Sequence, residues 1–122
     1  VVQGSGVPPA TTTPYALLST HSTAMSRYRH IVLFWLKDAS PAGIAEAREK
    51  LLSLQGRIPG LVSLEAEPDA ERSERSCDLC LDTLFDSKAA LDAYRTHPAH
   101  LPVIAFMKEH AAKSCTADYP VR

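Results

Sequence analysis

The feature that most constrains the fold is the segment Tyr28–Leu36 (YRHIVLFWL), whose side chains are largely apolar on both alternating faces. Its β-branched and aromatic residues predict one β-strand. Its longest apolar run, Ile31–Leu36, is far shorter than the roughly 20 residues that span a bilayer. We therefore expect no membrane partner. A strand that is apolar on both faces needs helices on one side and a further layer on the other.

A first helix is predicted directly after this strand. Ser40 fits the N-cap and Pro41 the first turn. An apolar stripe of helical period follows, formed by Ile44, Ala47, Leu51, Leu54 and Ile58.

The rest of the domain is predicted to contain three strands and one broken helix. Asp86 is the expected cap of that second helix, and Pro98 is expected to interrupt it. The predicted strands are Leu61–Glu67, Cys77–Phe85 and a short last one near Thr116–Val121.

The order β-α-β-β-α-β predicts an α+β, ferredoxin-like domain with a four-stranded antiparallel sheet. Because helices cover one face only and the other face is also largely apolar, we expect a homodimer in which two sheets pack face to face. The domain occupies residues 25–122. Residues 1–24 contain Gly, Pro, Ser and Thr but no charged residue, and we interpret them as an N-terminal extension or arm.

Composition and net charge argue against two classes of protein, namely nucleic-acid-binding proteins and secreted disulfide scaffolds. The 122 residues suffice for one domain, and thirteen Lys and Arg against fourteen Asp and Glu give a net charge of −1. A near-neutral chain has no electrostatic reason to bind nucleic acid. Three cysteines are an odd number for a secreted disulfide scaffold, so we expect reduced thiols and a cytoplasmic location.

The segment YRTHPAH, from Tyr94 to His100, is the sharpest candidate for chemistry. Tyr94 and His97 are three residues apart at a helix end and share a face, and Pro98 redirects His100. A phenol and an imidazole that converge on an apolar cavity form an acid–base pair. The alternative is structural: the histidines cap carbonyls at the helix break while the Tyr94 ring packs in the core.

Several segments together resemble the stress-responsive A/B barrel (Dabb) family. They are RHIVLFWLK in the first strand, RIPGLVSLE after the first helix, DLCLDTLFDSKAALDAYRTHPAHLPV in the middle and ADYPV at the end. The resemblance covers about Arg29 to Val121. It implies a dimeric α+β barrel with a cavity between each sheet and its helices, and most members of the family have no assigned reaction.

One characterised relative in this family is a plant polyketide cyclase that needs neither metal nor nucleotide. The resemblance implies that Tyr94 polarises a substrate carbonyl, that His100 is the base, and that His30 and His97 line the same cavity. Leu51 and Leu79 stand where that cyclase has an aromatic hydroxyl and a further histidine. Both differences leave the pocket more apolar, which disfavours polyketide cyclisation but not the binding of an apolar or aromatic ligand.

One cysteine spacing and one histidine spacing resemble those of metal sites, but we expect no bound metal. Cys77 and Cys80 have CxxC spacing, but residues three apart on a strand point to opposite faces. His97 and His100, even with His30, form an incomplete ligand set.

Without a cofactor, three functions stay open: a protein that binds a small apolar ligand, a cyclase-like lyase that uses Tyr94 and His100, and a non-catalytic structural protein of the stress response.

Overall fold

The computed structural model describes residues 26–122. The predicted N-terminal extension, residues 1–24, lies outside this part of the chain. Seven elements follow the predicted order, with the second helical element broken in two. The strands are β1 (Tyr28–Leu36), β2 (Leu61–Pro68), β3 (Leu79–Phe85) and β4 (Ala111–Pro120), and the helices are α1 (Pro41–Leu52), α2 (Lys88–Arg95) and α3 (Leu101–His110).

The four strands form one antiparallel sheet in the order β2-β3-β1-β4. This confirms the predicted α+β, ferredoxin-like topology, with an open sheet in the single chain. Alternate residues of β1 are buried toward the helices, namely His30, Val32, Phe34 and Leu36. We call this side the helical face and the opposite side the open face. None of the helices in the described residues is long and apolar enough to cross a membrane.

The helix starts follow local capping chemistry. The Ser40 hydroxyl accepts a hydrogen bond from the Gly43 amide at 3.2 Å, as predicted for the cap of α1. The cap of α2 is Ser87, which accepts from the Ala90 amide at 3.1 Å, so the prediction of Asp86 was wrong by one residue. The apolar stripe of α1 continues past its end at Leu52, because turns bury Leu54 and Ile58 in the same core.

Two strand boundaries also differ from the prediction. β3 begins at Leu79 rather than Cys77, because Asp78 turns inward, where its carboxylate accepts from the Leu36 amide at 2.7 Å and from Arg72 at 2.8 Å. β4 begins at Ala111, five residues before the predicted Thr116. Its pairing with β1 runs the length of that strand, so the neighbouring strand rather than its own sequence pattern determines its length.

Candidate functional site

A cavity of about 460 Å³ lies between the helical face of the sheet and helix α3. This volume is in the range typical of small-molecule sites, about 300–1,000 Å³. Its walls come from β1, α1, β3, α2, α3 and β4. The side chains that matter most for its chemistry are His30, Tyr94, His100, Lys108, Ser114 and Thr116, and its apolar wall includes Val32, Phe34, Leu51, Leu81, Val103, Ile104 and Met107.

Tyr94 lies at the end of α2, where the helical period turns its ring into the core. Its side chain is 2% exposed and packs against Phe85 with ring centroids 5.0 Å apart. Burial raises the pKa of Tyr94 to about 12. The hydroxyl makes no hydrogen bond to any other group in residues 26–122, although buried hydroxyls are usually paired. A neutral phenol without a protein partner therefore borders the cavity.

His100 lies in the segment between α2 and α3, where Pro98 interrupts the helix. Its Nδ1 lies 2.9 Å from the Tyr94 carbonyl oxygen, and its ring stacks on the Tyr94 ring with centroids 3.8 Å apart. A carbonyl oxygen only accepts, so Nδ1 carries the proton and Nε2 carries the lone pair. Burial lowers the pKa of His100, against the backbone hydrogen bond to Tyr94, which raises it. The ring is therefore neutral near pH 7 and has a basic nitrogen.

His30 completes the polar wall from strand β1. It is 7% exposed, its Nδ1 is hydrogen-bonded to the Asp118 carboxylate, and its ring meets the Tyr94 ring edge-on with centroids 6.1 Å apart. The Thr83 hydroxyl donates to the His30 carbonyl at 2.6 Å and fixes the backbone there. The three side chains therefore form a row in which the Tyr94 phenol lies between the imidazoles of His30 and His100.

Of the remaining candidates from the sequence, the structure places one in the cavity wall and two outside it. Leu51 lines the cavity. Leu79 is completely buried in the core and is not part of the cavity wall. His97 also lies outside the wall: its Nδ1 accepts a hydrogen bond from the Ala99 amide at 3.0 Å, which stabilises the turn at Pro98. Of the two histidines, only His100 makes the carbonyl contact of the structural alternative, through Nδ1 to the Tyr94 carbonyl, whereas His97 accepts from an amide.

Helix α3 and strand β4 supply much of the wall that sequence reasoning missed. Ile104, Met107 and Lys108 come from α3, and Ser114 and Thr116 come from β4. The helical spacing of Ile104 and Lys108 was the available signal, since residues four apart share a helix face. Nothing in the sequence of β4 marks its hydroxyls as cavity residues.

The three cysteines are free thiols that lie apart from this site. Cys77 and Cys80 are half-buried, and burial raises the pKa of both thiols, whereas Cys115 is exposed on the single chain. Within residues 26–122, no three or more His, Cys, Asp or Glu side chains are grouped so that they could hold a metal ion.

Comparison with known families and structures gives one sequence family and a consistent fold. The model of the stress responsive A/B barrel domain (Dabb) matches residues 28–121. No curated protein matches the chain.

Solved structures with this fold come from bacteria and from plants. A dimeric ferredoxin-like protein of unknown function from Thermobifida fusca has a TM-score of 0.70 at 23% identity, with 79% of this chain and 92% of that chain covered. A dimeric protein of unknown function from Bacteroides fragilis gives 0.67 at 24% identity, covering 78% and 96%. A hydroxynitrile lyase from Passiflora edulis gives 0.70 at 17% identity, covering 80% and 95%. These identities establish similarity of fold alone.

Proposed function

Because the chain belongs to the stress-responsive A/B barrel domain family, we propose that it binds a small apolar or aromatic ligand in the cavity between the sheet and the helices. The observation that carries this proposal is at Tyr94, which lines a cavity of about 460 Å³ and whose hydroxyl has no hydrogen-bond partner in the described residues. A buried hydroxyl without a hydrogen-bond partner costs free energy. A ligand acceptor beside it would remove that cost.

The alternative of a purely structural protein predicts a filled site with both imidazoles bonded to the backbone. Both imidazoles do bond to the backbone, His97 to the Ala99 amide and His100 through Nδ1 to the Tyr94 carbonyl. The site is not filled, however, because His100 lines the cavity, and its Nε2 makes no hydrogen bond within residues 26–122. The apolar wall and the few polar groups are the combination typical of small-molecule sites. Ligand binding accounts for both features, whereas a structural role accounts for Nδ1 only.

The test is to place a bulky side chain from α3 in the cavity, so that it blocks the binding of a probe. Ile104 lines the cavity, while Leu101, one turn earlier on the same helix, is 50% exposed and lies outside the wall. We expect Ile104→Trp to abolish the fluorescence enhancement of the neutral apolar probe N-phenyl-1-naphthylamine. The matched variant Leu101→Trp places the same indole on the same helix and should leave the probe affinity within about twofold of wild type.

Two results would count against ligand binding. One is the absence of any saturable probe binding to the wild-type protein. The other is equal probe affinity in Ile104→Trp and Leu101→Trp, which would place the probe elsewhere on the surface. Circular dichroism of both variants separates loss of binding from loss of folding.

A second candidate function is lyase chemistry on the bound ligand, favoured by the tautomer of His100. With Nδ1–H donated to the Tyr94 carbonyl, Nε2 is the nitrogen that can remove a substrate proton, and the Tyr94 phenol can donate a hydrogen bond to a substrate oxygen. In an aldol-type cyclisation, His100 takes the proton next to one carbonyl, and the resulting carbanion attacks a second carbonyl carbon. The proton held on Nε2 then passes to the new alkoxide.

The lyase candidate is tested with a simple carbon–carbon bond cleavage. Mandelonitrile is a suitable probe, because a structure of similar fold is a hydroxynitrile lyase. We expect benzaldehyde release above the uncatalysed rate in the wild-type protein and only the uncatalysed rate in Tyr94→Phe or His100→Asn. Equal rates in the wild type and in both variants would refute catalysis of this cleavage by the pair while leaving ligand binding intact.

We further infer that two copies pair through the open face of the sheet. Ile31, Leu33 and Trp35 of β1 lie on this face and are only partly buried in the single chain. Their neighbours by strand register include Cys80 and Cys115, both next to Leu33. The two similar bacterial structures described as dimers support this assembly. The free thiols agree with a cytoplasmic location, which is part of the same proposal.

A further inference from the structure

The charged side chains that line the cavity are all positive. Within the described residues its wall contains two lysines, Lys108 and Lys113, and no Asp or Glu. Lys108 is exposed, one helical turn after Ile104, so its ammonium group lies at the solvent side of the cavity. It has no ion pair with a carboxylate in residues 26–122, and Lys113 instead lies over the Trp35 ring, 4.3 Å from its centroid. Lys108 is thus a free cation at the cavity edge.

Hydroxyl groups accompany this cation on the opposite wall. Ser114 and Thr116 lie opposite Phe34 and Val32 in the strand register, so their side chains share the helical face of the sheet. The acidic residue that follows on this face, Asp118, is already hydrogen-bonded to His30. The cavity therefore offers one unpaired positive charge at its edge and hydroxyl groups on the facing strand, in addition to its apolar wall and the row formed by His30, Tyr94 and His100.

We propose that the ligand is an amphipathic monocarboxylate, with its carboxylate at Lys108 and its apolar body between α3 and β1. This inference rests on the proposed function and adds the ligand's chemical class. One free lysine matches one negative charge, and hydroxyls supply further hydrogen bonds to carboxylate oxygens. A phosphate monoester carries about two negative charges at neutral pH and is better matched by arginine forks, which the cavity wall lacks.

The test compares two ligands of equal chain length that differ in the head group, which is a carboxylate in one and a neutral hydroxyl in the other. Decanoate and 1-decanol have the same chain, and isothermal titration calorimetry at pH 7.5 and low salt gives both dissociation constants. We expect wild-type protein to bind decanoate about fivefold to tenfold more tightly than decanol, as for a partly solvated ion pair. Lys108→Met should remove this preference, whereas Lys108→Arg should retain it. Lys88→Met, on α2 and outside the cavity wall, is the control for a lost surface charge.

The other possible outcomes would contradict the proposal in different ways. If decanol and decanoate bind equally to the wild type, or if the preference persists in Lys108→Met, the carboxylate assignment is wrong and the cavity still binds apolar ligands. If neither ligand binds, the proposed function fails together with this inference. If Lys88→Met loses the preference as fully as Lys108→Met, the effect is one of overall charge and not of the cavity edge.

Discussion

Replacing His100 with alanine separates its contribution to stability from its contribution to the cavity. The substitution removes the 2.9 Å hydrogen bond from Nδ1 to the Tyr94 carbonyl and the stacked ring pair at 3.8 Å. The carbonyl keeps a second donor, the His97 amide at 3.1 Å, so it is not left unpaired. The hydrogen bond contributes about 1 kcal/mol and the stacked pair about 1 kcal/mol. We therefore expect His100→Ala to lower the free energy of unfolding by about 2 kcal/mol.

Asparagine is the matched control at this position, because its side-chain amide nitrogen takes the place of Nδ1. His100→Asn keeps the hydrogen bond to the Tyr94 carbonyl and loses both the stacking and Nε2. We expect it to lower the free energy of unfolding by about 1 kcal/mol, half the effect of alanine. Urea unfolding followed by circular dichroism, at one fixed protein concentration, measures both values.

Two results would refute this reasoning. If His100→Ala is within about 0.5 kcal/mol of wild type, which is the range of an ordinary surface substitution, the imidazole has no structural role. If alanine and asparagine are equally destabilising, the hydrogen bond through Nδ1 contributes nothing, and the tautomer assigned to His100 loses its physical basis.

Three further predictions concern pH and assembly. Because the folded pKa of Tyr94 is about 12 and that of a free phenol is 10.0, stability should fall as pH rises from 10 toward 12. Denaturant midpoints should show this fall in wild type and a smaller one in Tyr94→Phe, and equal falls would contradict the burial of the phenol. Because the folded pKa of His100 lies below 6.5, the unfolded chain binds more protons, so stability should decrease as pH falls below about 6.5. This slope should be smaller in His100→Asn, and an unchanged slope would assign it to another group. Leu33→Glu on the open face should give monomers in light scattering at micromolar concentration, whereas Leu101→Glu should remain dimeric, and a dimeric Leu33→Glu protein would exclude pairing through this face.

Local sequence signals predicted most of the fold because they act over a few residues. The bounds of β1, the cap at Ser40 and the helix break at Pro98 all follow from side-chain pattern and capping chemistry. Asp78 could not be placed in this way. Asp78 falls inside the predicted strand Cys77–Phe85 beside the buried Leu79, but the Leu36 amide, 42 residues earlier, and Arg72, six residues earlier, hold its carboxylate inside.

The candidate site was predictable only in its central residues. Tyr94 and His100 were found from their spacing around Pro98, and the family resemblance added His30. Lys108 was not recognised as a cavity residue, because a periodic pattern shows which face of a helix is apolar but not where packing leaves space. Leu79 fills part of the core instead of lining the cavity, for the same reason.

The most direct test of ligand binding uses the two methionines of the chain, Met25 and Met107. Met107 lines the cavity and is 6% exposed, whereas Met25 precedes the described residues. With both methyl groups labelled with ¹³C and assigned through Met107→Leu, decanoate is titrated into the protein and the two NMR signals are followed. We predict a saturable shift of the Met107 signal. A Met107 signal that stays unchanged at saturating decanoate would contradict ligand binding in this cavity.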